Sequence, residues 1–335
     1  MLLSIVIPSN NKTVYLLEAV TSLINGLAQD MQKRVEICIS DNSSNDETKI
    51  AVSQIMHRFK YIKYRRSLDA PSLDENAYMV STMASGQYIW FFGDDDVVVQ
   101  DSLLRFVEFL ENTTHKIVIV NSQSFYIDSI IQSRRMPLFE NIIFGEGDSD
   151  NFMISMGGYL TYLPCIVIER EMWLENYNIQ KQGTFFAHIH CTLKAKLKSS
   201  ACFYASPIIQ MRLHSQTWTE KHFQIWNIFY PQIIWEMEGF SDHAKIEVIQ
   251  KNPLNEIKRY LSSRAYDRFD FKIWSKFIQK SSKVSNAKKL LSLIIAIIPV
   301  VILRNILIMQ INKFRSKQTM QFCPELALAQ LKKLS

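Results

Sequence analysis

Three consecutive aspartates, Asp94, Asp95 and Asp96, follow the run "YIWFFG" with no lysine or arginine among them. Adjacent carboxylates repel and raise one another's pKa unless a cation or solvent screens them, so the cluster costs stability. The sequence therefore predicts a cation at this place. Mg²⁺ or Mn²⁺ suits it, because hard cations take one or two carboxylates and fill their other positions with phosphate oxygens. The ligand implied is a phosphorylated molecule. The competing reading of an acidic run after a strand is a solvated helix start with aspartate at the N-cap. A second acidic stretch, "SDNSSND", places Asp41 and Asp46 after another apolar run.

The elements that must hold these residues follow from periodicity. Residues 4–7 and 35–39 are short apolar strands, and residues 12–27 carry apolar side chains at helical spacing. Residues 61–64 predict a third strand, 75–85 a helix ending at Gly86, and 88–92 a fourth strand. Short apolar strands alternating with helices imply a mostly parallel sheet covered on both faces, with ligands beyond the carboxyl ends of the strands. Both acidic clusters fall at that edge. Beyond it, "KIVIVNSQSFYI" predicts a strand, residues 144–158 a flexible loop rich in Gly, Asp and Ser, and "YLPCIVIERE" a strand leading into a helix at Trp173.

With 335 residues, 47% of them hydrophobic, the chain suits one large domain or two smaller ones with a real core. Five scattered cysteines, Cys38, Cys165, Cys191, Cys202 and Cys323, show neither a disulfide framework nor zinc-ligand spacing, which favours a reducing cytoplasm. "MLLSIVIPSNN" lacks a basic leader region and reads as a first strand rather than a signal peptide. The net charge of +6 suits an anionic surface, but the basic residues are spread out and no nucleic-acid motif is present, so nucleic acid is not an expected partner. From Phe223 the pattern becomes helical. Residues 290–303 form an uncharged core of 14 residues, short of the roughly 20 that a spanning helix needs. Pro299 and Arg304 interrupt any extension, and Lys288, Lys289, Lys313 and Arg315 bracket the segment. A helix over 286–315 lying on an anionic membrane surface is the expectation; a buried terminal helix and a true span are the alternatives.

"SIVIPSNNKTVYLLEAVTSLI", "EICISDNSSNDETKI" and "MASGQYIWFFGDDD", in this order, resemble the nucleotide-sugar-binding half of family 2 glycosyltransferases over about the first 110 residues. Within that family the motifs are most similar to bacterial O-antigen transferases of the abequosyltransferase type. The resemblance implies the GT-A fold, a Rossmann-like, mostly parallel α/β sheet flanked by helices, here followed by a helical C-terminal region. It implies a glycosyltransferase domain over 1–222, with a donor half at 1–110 and an acceptor half at 111–222, and the helical region at 223–335. Pro8, Ser9 and Asn11 fall where the family's backbone lines the nucleotide pocket, and Asp41 where a strand-end aspartate contacts base or ribose. Asn42 replaces a frequent second aspartate. Asp95 and Asp96 match the last carboxylates of the family's DxDD-like metal motif, Gly93 stands where its first aspartate is common, and Asp94 is an extra acid beside the donor. "SLDENAYMVSTMASG" resembles a G-x-x-x-N-x(9)-G segment with Ser72 in place of its first glycine. Asp74 and Asn76 there are donor-positioning candidates, with helix capping as their alternative.

Inverting transfer needs a general base for the acceptor hydroxyl while a metal stabilises the departing diphosphate. Many relatives use an "ED" pair, and none stands between Asp150 and Leu213. In its place "GTFFAHIHCTLKA" offers His188 and His190, since imidazole titrates near neutrality. Asp148 and Asp150 are the carboxylate alternatives. Arg212 and His214, in "MRLHSQTWT", resemble an R-x-H element that completes the diphosphate and metal site, giving Asp95, Asp96 and His214 as metal ligands and Arg212 as a diphosphate partner.

The function implied is transfer of a sugar, with a deoxyhexose as the candidate, from a nucleoside-diphosphate donor to a polyprenyl-diphosphate-linked saccharide. Such an enzyme of O-antigen assembly would be peripheral at the inner face of a bacterial inner membrane. A nucleotidyltransferase is disfavoured, because no Gly-rich, Lys-containing phosphate loop follows the first strand. The other class is a degenerate sugar-nucleotide or glycan-binding module, to which the missing "ED" pair would belong.

Overall fold

β1 (Leu3–Ser9) and β2 (Val35–Asp41) are each buried along all seven residues, which is why their sequences run apolar without alternation. The structure is a computed structural model and describes residues 1–29, 31–213 and 221–314. β1 pairs in parallel with β2 and with β4 (Tyr88–Phe91), and β2 in parallel with β3 (Ile62–Arg66). The crossovers are α1 (Thr13–Gly26), α2 (Glu47–Arg58) and α3 (Leu73–Met83). α1 faces the sheet with Leu16, Ala19, Val20 and Leu23. Gly86 ends the last crossover where a Cβ would lie 2.7 Å from the backbone nitrogen of Ser4, so only glycine lets the chain pass β1 so closely.

The parallel order expected from sequence holds in the run β3-β2-β1-β4. Beyond it the sheet is mixed. β9 (Ile166–Glu169) lies antiparallel between β4 and β6 (Ile117–Tyr126), and β10 (Ala201–Arg212) returns parallel to β6. β5 (Val97–Val98) adds antiparallel to β10, β7 (Ser129–Gln132) to β6, and β8 (Ile142–Phe144) to β10. The acid loop between β4 and β5 therefore links a parallel strand to one that pairs with the end of β10. α4 (Ser102–Asn112) covers the sheet with Leu103, Phe106, Val107 and Leu110.

The segment expected to be a flexible loop at 144–158 contains a helix, α5 (Ser149–Met156). Its polar residues lie at the start, while Phe152, Met153 and Met156 recur on one buried face. α6 (Arg170–Asn176) and α7 (Ala187–Lys196) follow, so the His-containing stretch is helical.

The described chain divides into two compact units, residues up to 213 with Ile233–Val248, and residues 221–232 with those from 249 onward. The segment 233–248, expected in the C-terminal region, thus packs with the sheet-containing unit. The second unit is helical around Phe223, Tyr260, Phe269, Trp274, Ile295 and Leu303. Trp274 donates its indole N–H to Lys289 O and Ser292 Oγ, both at 3.1 Å. The expected helix at 286–315 is two helices, Asn286–Ile297 and Val300–Phe314, bent by 97° at the break before and at Pro299. No single described helix is long and apolar enough to cross a membrane.

Candidate active site

The ends of β1, β2 and β4 meet in register, Ser9 opposite Asp41, with the acid loop emerging beside them. Asp94 Oδ2 accepts the backbone N–H of Asn10 at 3.3 Å. Lys12, at the N-cap of α1, places its Nζ 3.2 Å from Asp94 Oδ1 and 2.7 Å from Asp95 Oδ2. Asp96 faces elsewhere. Its Oδ2 accepts the Tyr162 hydroxyl and its Oδ1 the backbone N–H of Arg212 at 3.0 Å. Arg212 ends β10, donates from Nε to the Asp95 carbonyl at 2.9 Å, pairs with Glu18, and lies over the rings of Tyr15 and Phe125.

Burial pushes the Asp94 and Asp96 carboxyls above their ordinary range, and the neighbouring Asp95 adds to this. Lys12 opposes the shift at Asp94. Burial likewise works against the Lys12 ammonium, but Asp94 and Asp95 outweigh it and hold the lysine above its ordinary pKa. The Tyr162 phenol, buried and facing Asp96, is held far above its usual pKa and so stays a hydrogen-bond donor.

Asp41 is fully buried. Its Oδ1 caps the turn by accepting Ser43 N at 2.8 Å, and its Oδ2 accepts the Tyr64 hydroxyl at 2.7 Å. Arg66 lies 3.9 Å from the same oxygen and donates to Ser43 O and Asp46 Oδ1. Asp46 is thus a surface partner of Arg66. Asn42 is tied to Ser9 O through its backbone and to Ala70 O through its side chain. Asn11, in the left-handed region at φ +55°, accepts Ser44 N at 2.9 Å and fixes the β1 loop against the β2 loop. Pro8 sits in β1 opposite Ser40.

Asn76 donates to Ser9 O at 3.1 Å. Its Oδ1 and the Ser9 hydroxyl are buried and make no hydrogen bond among the described residues. Unpaired buried polar atoms cost stability, and two of them lie at the end of β1. Asp74 is spent differently. Its carboxylate accepts Phe185 N at 2.8 Å and Ala187 N at 3.2 Å, which makes it a cap for the start of α7, the alternative reading of this residue. Burial pushes its pKa up to about 6, against the amides that lower it.

Neither histidine joins the acid loop. His188 is 4% exposed, its Nε2 is bonded to Leu160 O at 3.0 Å, and burial lowers its pKa to about 4. His190 lies among Lys181, Lys194 and Glu236, with its pKa lowered by burial and then by the two lysines. His188 is thus hydrogen-bonded inside the protein, and a catalytic-base role for either histidine stays an expectation. Of the carboxylate alternatives, Asp150 accepts Ser241 N and Asp148 pairs with Asn151, both away from the acid loop.

Among the described residues, no three or more histidine, cysteine or acidic side chains surround one metal position. Two carboxylates do converge. Asp94 Oδ1 and Asp95 Oδ2 share the Lys12 ammonium, so the loop is built to hold a cation between them. Two hard oxygen donors, with the remaining positions left to phosphate, fit Mg²⁺ or Mn²⁺. Of the expected pair Asp95 and Asp96, Asp95 faces this cation, while Asp96 accepts hydrogen bonds from Tyr162 and from the backbone of Arg212. His214 lies outside the described residues. Sequence reasoning missed Lys12, Tyr64, Arg66 and Tyr162; the lysine directly after "PSNN" was the one local signal available.

Residues 4–162 match the profile of glycosyl transferase family 2. Over 203 residues the chain is 26% identical to the abequosyltransferase RfbV of Salmonella typhimurium, covering 56% of this chain and 59% of that protein. Over 104 residues it is 33% identical to the GalNAc(5)-diNAcBac-PP-undecaprenol beta-1,3-glucosyltransferase of Campylobacter jejuni, covering 30% and 32%. The matches therefore span less than two thirds of either relative. Among solved structures, S. aureus TarS 1-349 in complex with UDP-GlcNAc superposes with a TM-score of 0.57 at 12% identity, covering 81% of this chain and 77% of that one. The complex with UDP gives 0.57 over 83% and 78%. That likeness is one of fold, the GT-A arrangement of a mixed α/β sheet with flanking helices and further helices after it.

Proposed function

We propose that this chain, which belongs to glycosyl transferase family 2 through its residues 4–162, is a metal-dependent transferase that moves a sugar from a nucleoside diphosphate to a lipid-linked saccharide. The observation that carries the reading is the placement of Asp41, Asn76, Asp94 and Asp95 at the carboxyl edge of β1, β2 and β4, with Asp94 and Asp95 paired to the Lys12 ammonium. Asp41, kept in place by Tyr64, and the unpaired Ser9 and Asn76 oxygens would bind the nucleoside. Asp94 and Asp95 would hold Mg²⁺ or Mn²⁺, which supplies charge stabilisation for the leaving diphosphate. Lys12 and Arg212 border that position with further positive charge. One relative is named for abequosyl transfer and the other for glucosyl transfer to an undecaprenol-diphosphate saccharide, which supports a hexose or deoxyhexose donor and a polyprenyl-diphosphate-linked acceptor.

The lipid-linked acceptor agrees with the bent helix pair of the second unit. Leu290, Leu291, Ile297, Val301 and Met309 are each at least half exposed, with Lys280, Lys283 and the half-buried Lys288 and Lys289 in or just before them. Apolar side chains edged by lysines suit the interface of an anionic membrane, with the protein peripheral to it.

The test is a calorimetric titration of the protein with UDP, CDP, GDP and dTDP, each with Mn²⁺ and with EDTA. Metal-dependent binding of one nucleotide, lost in Asp41→Ala, is expected. Binding of none, together with no hydrolysis of any nucleotide sugar, would instead identify a degenerate module.

A further inference from the structure

The cation that the sequence of the acid loop lacks is supplied from 82 residues away by Lys12. The lysine follows Asn11 at φ +55°, a backbone that turns the chain from β1 into α1 and aims this side chain back at the loop. Its side chain is 14% exposed, those of Asp94 and Asp95 12% and 15%, so all three are largely withdrawn from water. The oxygens it touches, Asp94 Oδ1 and Asp95 Oδ2, are those between which a divalent cation would sit. Asp94 Oδ2 already accepts Asn10 N, and the two Asp96 oxygens accept Tyr162 and Arg212, so the oxygens that face Lys12 are the pair the loop turns toward a cation. An ammonium and a divalent ion cannot share so small a space, since like charges about 4 Å apart repel strongly away from bulk water.

We propose that Lys12 is a built-in counter-ion of the metal site. It closes Asp94 and Asp95 while no donor is bound, and it passes to the diphosphate oxygens when metal and nucleoside diphosphate arrive together. The inference rests on the metal-dependent reading of the acid loop given above. A lysine suits the exchange because its ammonium rides on a flexible four-carbon stem and binds carboxylate or phosphate as a point charge. The step is physical, with no bond made or broken: one cation leaves two carboxylates, a divalent ion replaces it, and the diphosphate accepts the displaced ammonium. The consequence is coupling. Metal alone must displace Lys12 into a place without a partner, whereas metal with diphosphate gives the ammonium a new anion. Each ligand therefore raises the affinity of the other, by linkage to the same degree.

The experiment measures Mn²⁺ binding to the full chain by electron paramagnetic resonance and calorimetry, alone and with whichever of UDP, CDP, GDP or dTDP binds best. Wild type is compared with Lys12→Met and Lys12→Arg. Wild type is expected to bind Mn²⁺ alone weakly and about tenfold or more tighter with nucleotide, a typical coupling range. Lys12→Met is expected to bind Mn²⁺ alone about tenfold tighter than wild type, with little further gain from nucleotide, and Lys12→Arg to behave as wild type. If Lys12→Met proves too unstable to titrate, Lys12→Gln is used and the Mn²⁺-induced rise in Tm, larger than in wild type, is the readout. Equal Mn²⁺ affinity in wild type and Lys12→Met, abolished by Asp95→Asn, overturns the counter-ion and leaves the metal site standing. Absence of Mn²⁺ binding in every variant, with and without nucleotide, overturns the metal reading and the counter-ion with it.

Discussion

A Cβ at position 93 would lie 2.4 Å from Oδ2 of Asp96 and 2.9 Å from its Cγ. Glycine at 93 and the inward rotamer of Asp96 are thus one feature. The carboxylate cannot swing aside cheaply, because Tyr162 holds one oxygen and the backbone of Arg212 the other. The chain uses the space beside position 93 for Asp96 itself. Gly93→Ala is therefore expected to displace Asp96, destabilise the fold by about 1–3 kcal/mol as overpacking does, and reduce transfer. Urea unfolding and a transfer assay on the same preparation check it; a variant as stable and active as wild type would show that Asp96 has another place to go.

Asp96→Asn separates chemistry from folding. The amide keeps an acceptor for Arg212 N and offers a donor or acceptor to Tyr162, so both partners of Asp96 stay satisfied. Repulsion with Asp95 is relieved. Unchanged or raised Tm at neutral pH is expected, with transfer down by about a hundredfold, because the charge beside the metal position is gone. Thermal unfolding alongside single-turnover transfer measures the two. Retained transfer would remove Asp96 from the site.

What could be read from the sequence was whatever lies within one continuous segment. β1, β2 and β4 were legible because seven- and four-residue apolar runs between helical patterns have few alternatives, and Asp41 and the acid loop because acids at strand ends are locally visible. Partners were not legible. Lys12 meets Asp95 across 83 residues and Tyr162 meets Asp96 across 66, and nothing in a single sequence reports such pairs. The same limit hid strand direction, since the apolar run of β9 reads alike in either orientation. It hid the setting of the third aspartate too, because Asp96 is held by Tyr162 and Arg212 from distant parts of the chain. α5 was missed for a different reason: its Ser, Asp and Asn residues fill the first turn, and the apolar face that defines the helix is only three residues wide.

His188 should prove structural. Its Nε2 is bonded to Leu160 O, and burial, which lowers its pKa to about 4, favours the neutral ring near pH 7. The sign follows directly: burial lowers the folded value below the ordinary one, so protonation on acidification opposes folding, and the loss of stability begins below the ordinary imidazole range. His188→Gln is expected to cost about 1–3 kcal/mol of stability for the disturbed buried bond and to leave the pH dependence of kcat/KM unchanged in shape. A limb near pH 6.5 that vanishes in this variant would restore the histidine as a base.

Asp74 offers the converse titration in a group outside the metal position. It is 2% exposed, caps the start of α7 through Phe185 and Ala187, and has its pKa raised by burial from 3.8 to about 6. A carboxyl whose folded pKa lies above the unfolded one contributes stability that is present below about pH 4 and is lost as pH rises through about 6. Over that window the loss is on the order of 2–3 kcal/mol. Asp74→Asn carries no such titration but surrenders one acceptor. It should therefore be less stable than wild type at pH 4, by about 1–3 kcal/mol, and should close or reverse the gap by pH 7. Urea unfolding of both proteins at half-unit steps from pH 4 to 7 measures the difference. A gap independent of pH would mean that the two amides hold the carboxylate ionised throughout, and that the cap at α7 is a charged one.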